Sequence, residues 1–111
     1  SFGKGERIVR QGDPGDALYV IVEGIAVVSI SDGAGLEREV ARLGRGEFFG
    51  EMALLTGEPR TAHVTAADDL DVLVIRKDAL RGILERRPGL AQEMAEMVEA
   101  RRHGLKAVRD M

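Results

Sequence analysis

The chain has no cysteine and no tryptophan, one tyrosine, three phenylalanines and two histidines. Without cysteine there is no disulfide and no thiolate chemistry. The two histidines, His63 and His103, lie far apart in sequence and give a metal site little to work with. No apolar run approaches the roughly 18 residues of a membrane span, and no secretory signal pattern opens the chain. Aromatic residues make up 4% of the 111 positions, so the core must rest on Val, Leu, Ile and Ala. A net charge of −3 argues against binding nucleic acid through bulk electrostatics.

What is present suits one modest core. Hydrophobic residues are 44% of the chain, and the length fits one domain, residues 1–111. The charged, helix-like tail suggests a segment of a longer protein. Residues 4–11 read as a short first strand. Gly12-Asp13-Pro14-Gly15-Asp16 is a turn, with Pro14 presetting one dihedral and Gly15 free to take a positive φ. A strand over 18–23 points Leu18, Val20 and Val22 one way and Tyr19 and Ile21 the other. Strands over 25–31 and 37–43 flank a hairpin signal, Asp32-Gly33-Ala34-Gly35. Two more strands cover 62–66 and 70–76. The period then changes. Asp78 is a candidate N-cap for a helix bearing Leu80, Ile83 and Leu84. Pro88-Gly89 interrupts, and a last helix carries Leu90, Met94, Met97, Val98, Arg101 and Leu105 at steps of three and four. The pattern is mainly β: an antiparallel sandwich or barrel over about 4–76, followed by helices over about 78–108.

One stretch, residues 48–64, carries chemistry. Met52, Ala53 and Leu54 form one short helical turn, opened by Gly50 and closed near Gly57. The first N–H groups of a helix lack internal partners and carry partial positive charge, which suits a phosphate, and a preceding glycine lets the ligand approach. Pro59 sets the backbone just before Arg60, whose planar fork fits phosphate oxygens, and Thr61 adds a hydroxyl. Glu51 lies inside this cradle, where a carboxylate would repel phosphate, so it is assigned to accept from neutral hydroxyls. A cradle for an anion, a guanidinium and a hydroxyl acceptor together indicate a sugar phosphate. The plain alternatives are a surface Arg60 paired with Glu58 or Asp68, and a solvated Glu51 favoured by the helix dipole. Phe48 and Phe49 read as core anchors rather than base-stacking residues.

Phe-Gly-Glu-Met-Ala-Leu-Leu at 49–55, followed by Pro59-Arg60-Thr61-Ala62 and Val64, resembles the phosphate-binding cassette of the cyclic nucleotide-binding domain family. Gly5-Glu6 with Ile8, the Gly12–Asp16 turn, the Tyr19-to-Gly24 strand, Leu43-Gly44 and Gly46-Glu47 fit the same frame, so the resemblance covers nearly the whole chain. It implies an eight-stranded antiparallel β jelly roll with a cassette helix and a C-terminal lid helix. It implies cAMP or cGMP as ligand, with a lean to cAMP. Arg60 would hold the phosphate, Gly50, Met52 and Ala53 would offer backbone N–H groups and shape, Glu51 would accept from the ribose 2′-hydroxyl, and Thr61 would reach phosphate or a turned-over guanine. Arg101, or Arg102 in its place, would meet the purine from the lid; otherwise its stem covers apolar surface and its head reaches water. His63 departs from the family's usual small β-branched residue and is expected to point out of a strand with no ligand role.

These implications describe a regulatory binding module rather than an enzyme. A jelly-roll metalloenzyme needs a histidine-rich set, and no nucleophile–base pair is evident. The implied partner is an attached effector, an ion channel of prokaryotic type. The alternatives are the sensor of a transcription regulator and an interaction domain that binds no nucleotide. No cofactor, no direct nucleic-acid contact and no membrane insertion are expected of this segment, and a cytoplasmic location is implied.

Overall fold

The computed structural model describes the backbone of residues 1–109, with the side chains of all but Met52, Leu55, Thr56, Met97, Val98 and residues 101–109. Its elements run β1 (Arg7–Val9), β2 (Ala17–Glu23), β3 (Ala26–Ser31), β4 (Glu37–Leu43), β5 (Phe48–Phe49), α1 (Glu51–Thr56), β6 (His63–Ala66), β7 (Asp71–Arg76), α2 (Lys77–Arg86) and α3 (Pro88–Arg109). The strands form two sheets, ordered β1-β6-β3-β4 and β5-β2-β7, and every pairing is antiparallel.

The alternation along β2 decides how the layers pack. Tyr19 and Ile21 face the first core cluster with Phe49 and Val72, against Val9, Ala26, Val28, Leu43, Val64 and Ala66 of the other sheet. Leu18 faces the opposite way, into a second cluster with Phe48, Ile75, Leu54, Leu80, Leu84, Leu90 and Met94. The three-stranded sheet is therefore apolar on both faces: one packs against the other sheet, and the helices cover the other around Leu18 and Ile75 while leaving Val22 and Leu73 exposed.

Several expectations need adjustment. The described residues give seven strands where the resemblance implies eight. Phe2 and Leu70 exchange one pair of backbone bonds of 2.8 Å, and the turn at Lys4–Gly5 carries the chain away before a ladder can extend. That turn, and the one that begins at Gln11, shorten the first strand from residues 4–11 to Arg7–Val9. The pair Phe48–Phe49 is a strand too short to show alternation in sequence. Asp78 does not cap α2: Arg76 occupies that position in extended backbone, and Asp78 stands in the first turn, where its charge still complements the helix dipole. Pro88 takes the first position of α3, where a missing N–H costs nothing, so the helix starts at the proline itself. Positive φ in the Gly12–Asp16 turn falls on Gly12 (90°), not on Gly15.

Two polar clasps tie the four-stranded sheet together. In the first, Arg7 of β1 donates to Thr65 of β6 at 3.4 Å and to Glu37 of β4, and Ser29 of β3 donates to the same carboxylate at 2.6 Å. In the second, the Gln11 side chain accepts from the Ser31 N–H (2.8 Å) and donates to its carbonyl (3.2 Å). His63 accepts the Gln11 N–H at Nδ1 (3.1 Å) and lies 2.7 Å from Ser31 Oγ at Nε2. His63 thus closes a bond ring across the sheet. A neutral ring with its proton on Nε2 fits both contacts.

Both clasps depend on pH with the same sign. Hydrogen bonds from Arg7 and Ser29 hold Glu37 at about 2, below its ordinary 4.5. Burial lowers His63 below 6.5, with Arg7 and Arg10 adding to the shift and Glu37 and Asp13 opposing it. In each case the folded chain binds fewer protons than the unfolded one, so stability is present above the ordinary value and is lost as pH falls through the folded value. Urea unfolding across pH should show a loss of stability starting below pH 6.5 that His63→Asn reduces, and a second between 4.5 and about 2 that Glu37→Gln reduces.

Candidate functional site

Arg60 follows Pro59 in the loop that leads to β6. Its backbone is pinned to the Gly12–Asp16 turn on both sides: Gly12 N–H donates to the Arg60 carbonyl, and Arg60 N–H donates to the Asp13 carbonyl, each at 2.7 Å. Held there, the side chain turns inward and is only 7% exposed. Nη1 donates to the Gly50 carbonyl at 2.8 Å and Nη2 to the Ala17 carbonyl at 3.2 Å. Nε is buried and finds no acceptor among the described residues. An unsatisfied buried donor costs roughly 1–3 kcal/mol, which an anionic oxygen placed there would remove.

The neighbours of the guanidinium are aromatic, acidic and glycine. Arg60 Cζ lies over the Tyr19 ring, 5.9 Å from its centroid. Tyr19 stacks on Phe49, with centroids 5.0 Å apart and planes 15° from parallel. Burial pulls the guanidinium below its ordinary value, while Tyr19, Asp16 and Glu51 act against that pull; an arginine remains protonated throughout. Glu51, at the start of α1, is 2% exposed. A buried cation and a buried carboxylate thus share one site, which suits a ligand that carries both an anion and hydroxyl donors.

The glycines at either end of α1 are required by geometry. Gly50 at the N-cap and Gly57 at the C-cap take φ of 90° and 75°, and the Gly57 N–H bonds to the Ala53 carbonyl. A Cβ on Gly50 would also stand 2.6 Å from Arg60 Nη1 and 2.9 Å from the Ala17 carbonyl. Gly15 is confined by space instead. A Cβ there would lie 2.2 Å from Arg60 Cζ and 2.3 Å from Nε.

Of the residues singled out from the sequence, Gly50 and Arg60 are in direct contact, the Glu51 charge acts on Arg60, Ala53 is buried within α1, and Thr61 is half-buried beside Arg60. The side chains of Met52, Arg101 and Arg102 lie outside the described residues, as does that of His103. The plain reading of Arg60 as a surface cation is overturned by its burial, and Phe49 is a core residue as expected. Sequence reasoning missed Gly15, the Ala17 carbonyl and Tyr19. The available signal was the one tyrosine of the chain on the inward face of β2, directly after a glycine-rich turn.

Comparison with known proteins places this geometry. Residues 1–87 match the family model described as the cyclic nucleotide-binding domain. A cGMP-dependent protein kinase of Eimeria tenella is 44% identical over 84 residues, which are 76% of this chain and 8% of the kinase. A provisionally named potassium channel protein of Rhodopseudomonas palustris is 38% identical over 98 residues, 88% of this chain and 23% of that protein. The chain therefore spans less than a quarter of either relative. Among solved structures, the catabolite activator protein of Thermus thermophilus superposes with a TM-score of 0.88 at 32% identity, covering 98% of this chain and 51% of its own. The regulatory domain of Toxoplasma gondii PKA, crystallised with cAMP, superposes with a TM-score of 0.75 at 34% identity, covering 86% of this chain and 37% of its own. With well over half of its length matched by the family model, around a buried arginine and carboxylate, the chain belongs to the cyclic nucleotide-binding domain family.

Proposed function

We propose that this chain is a regulatory module that binds a cyclic nucleotide, cAMP or cGMP, and passes the event to an attached effector. The observation that carries the reading is Arg60: buried, anchored at two nitrogens by backbone carbonyls, and left with a third, Nε, that has no acceptor among the described residues. In this reading the cyclic phosphate meets Arg60 and the backbone N–H groups of Gly50, Met52 and Ala53. Glu51 accepts from the ribose 2′-hydroxyl, and Thr61 reaches the phosphate or the guanine amino group. Binding needs no metal or cofactor, and the module itself performs no catalysis.

The finer architecture belongs to the same proposal. Residues 1–111 act as one unit, a jelly roll with the cassette helix α1 inserted between strands and two helices at its C-terminal end, and α3 serves as the lid. Arg101, or Arg102, meets the purine from that helix. A ligand moves such a lid only through its differential affinity for the open and closed states, which a contact from lid to base supplies. Among the described residues no helix is long and apolar enough to cross a membrane. A cytoplasmic location for this segment follows the reading, with the membrane, if any, met by the effector.

The effector is an ion channel in the first reading, supported by the Rhodopseudomonas relative that matches 88% of this chain. The superposition with the Thermus catabolite activator, over 98% of this chain, favours a second reading: the sensor of a transcription regulator. The sequence of the full gene separates them, because the regulator continues into a DNA-binding domain and the channel carries membrane spans.

Two titrations test the site. Calorimetry with cAMP and with cGMP should show binding to the parent chain and a loss of about 2–5 kcal/mol for Arg60→Ala with the circular dichroism spectrum unchanged; equal affinity would refute the phosphate assignment. The 2′-deoxy analogue of cAMP should bind roughly 10- to 100-fold more weakly than cAMP, the worth of a hydrogen bond to a buried carboxylate. Equal binding of the two would return Glu51 to a structural role.

A further inference from the structure

The two bonds from Arg60 to the Gly50 and Ala17 carbonyls hold one edge of the guanidinium. Two contacts along a single edge leave a planar group free to rock about the line that joins them. The direction of Nε, the donor with no acceptor among the described residues, depends on that rocking. Two features limit it. The Tyr19 ring lies beneath Cζ at 5.9 Å, within the roughly 6 Å at which a ring attracts a cation, and Tyr19 is itself held flat by its stack on Phe49. The Gly15 backbone backs onto the Nε–Cζ–Nη2 side so closely that a Cβ would stand 2.2–2.6 Å from all three atoms.

We propose that Tyr19 and Gly15 form a seat for Arg60 and are positioning residues that set where its free donor points. The inference rests on the reading of Arg60 as the phosphate-binding group, and it assigns a role to two residues outside the phosphate cassette. Gly15 does not occupy the positive-φ region, so its requirement is for space, and an alanine there strains no backbone. Tyr19 acts through the face of its ring, so phenylalanine replaces it and leucine does not.

The test compares the parent chain with Tyr19→Phe, Tyr19→Leu and Gly15→Ala, titrated with cAMP and with cGMP by calorimetry. Tyr19→Phe should bind within about twofold of the parent, and Tyr19→Leu should lose about 3- to 30-fold, the worth of one cation–ring contact. Gly15→Ala should lose more, approaching Arg60→Ala, because a Cβ displaces the whole fork. A second readout needs no ligand. The Arg60 Nε–H resonance of nitrogen-15-labelled protein should be shifted by the ring and protected from exchange in the parent and in Tyr19→Phe, and should lose both properties in Tyr19→Leu.

Parent-like affinity and an unchanged Nε–H signal in Tyr19→Leu would overturn the seat. So would equal losses in Tyr19→Phe and Tyr19→Leu, which would assign the effect to the hydroxyl. If Tyr19→Leu fails to fold, Gly15→Ala decides by the same two measurements. A parent chain that binds neither nucleotide refutes the functional reading, whereas the Nε–H comparison still judges the seat.

Discussion

The burial of one guanidinium against backbone carbonyls is the constraint around which the rest of the site is arranged. Taking a cation out of water costs several kcal/mol unless charge-assisted bonds replace its hydration. Here the Gly50 and Ala17 carbonyls replace part of it, and the Tyr19 ring and the Glu51 carboxylate supply further negative potential. These partners come in pairs from two segments: Ala17 and Tyr19 from β2, Gly50 and Glu51 from the entry to α1. The arginine can be buried only if β2, the entry to α1 and the loop before β6 meet at one point.

The fold makes that meeting possible through β2. Its neighbouring residues Leu18 and Tyr19 point to opposite faces, so one strand serves the helical cluster on one side and the Arg60 seat on the other. The entry to α1 stands at the junction: Phe48 packs toward the helices, Phe49 stacks under Tyr19, and Gly50 receives Arg60. The site and the helices thus share a wall one strand thick. On the other sheet, the Gln11–Ser31–His63 clasp secures the strand ends from which the Arg60 loop departs.

Much of this was legible in the sequence, residue by residue. Alternation placed Leu18 and Tyr19 on opposite faces, and Glu37–Leu43 was read with its observed bounds. Gly50 and Gly57 bracketed the short helix, because their backbone conformations are ones that other residues rarely adopt. Boundaries set by long-range pairing were less legible. Phe48–Phe49 is a strand only because Tyr19 and Val20 lie beside it. Asp78 has the chemistry of an N-cap, yet the end of β7 fixes where α2 begins. Gly15 resembled a positive-φ turn residue, while the space a side chain would need there is filled by an arginine far along the chain.

The sequence by itself determined which groups stand close together, a glycine before a short helix, a carboxylate and a guanidinium within about a dozen residues, and that thiol chemistry is excluded. These follow from residue type and short spacing, which act within a few residues of one another. Only the tertiary structure decided that Arg60 is buried, that two of its nitrogens are tied to backbone carbonyls, and that Tyr19 and Gly15 enclose it. Those facts depend on the packing of segments distant in sequence, and the cost of burying a charge is set by neighbours that no local pattern records.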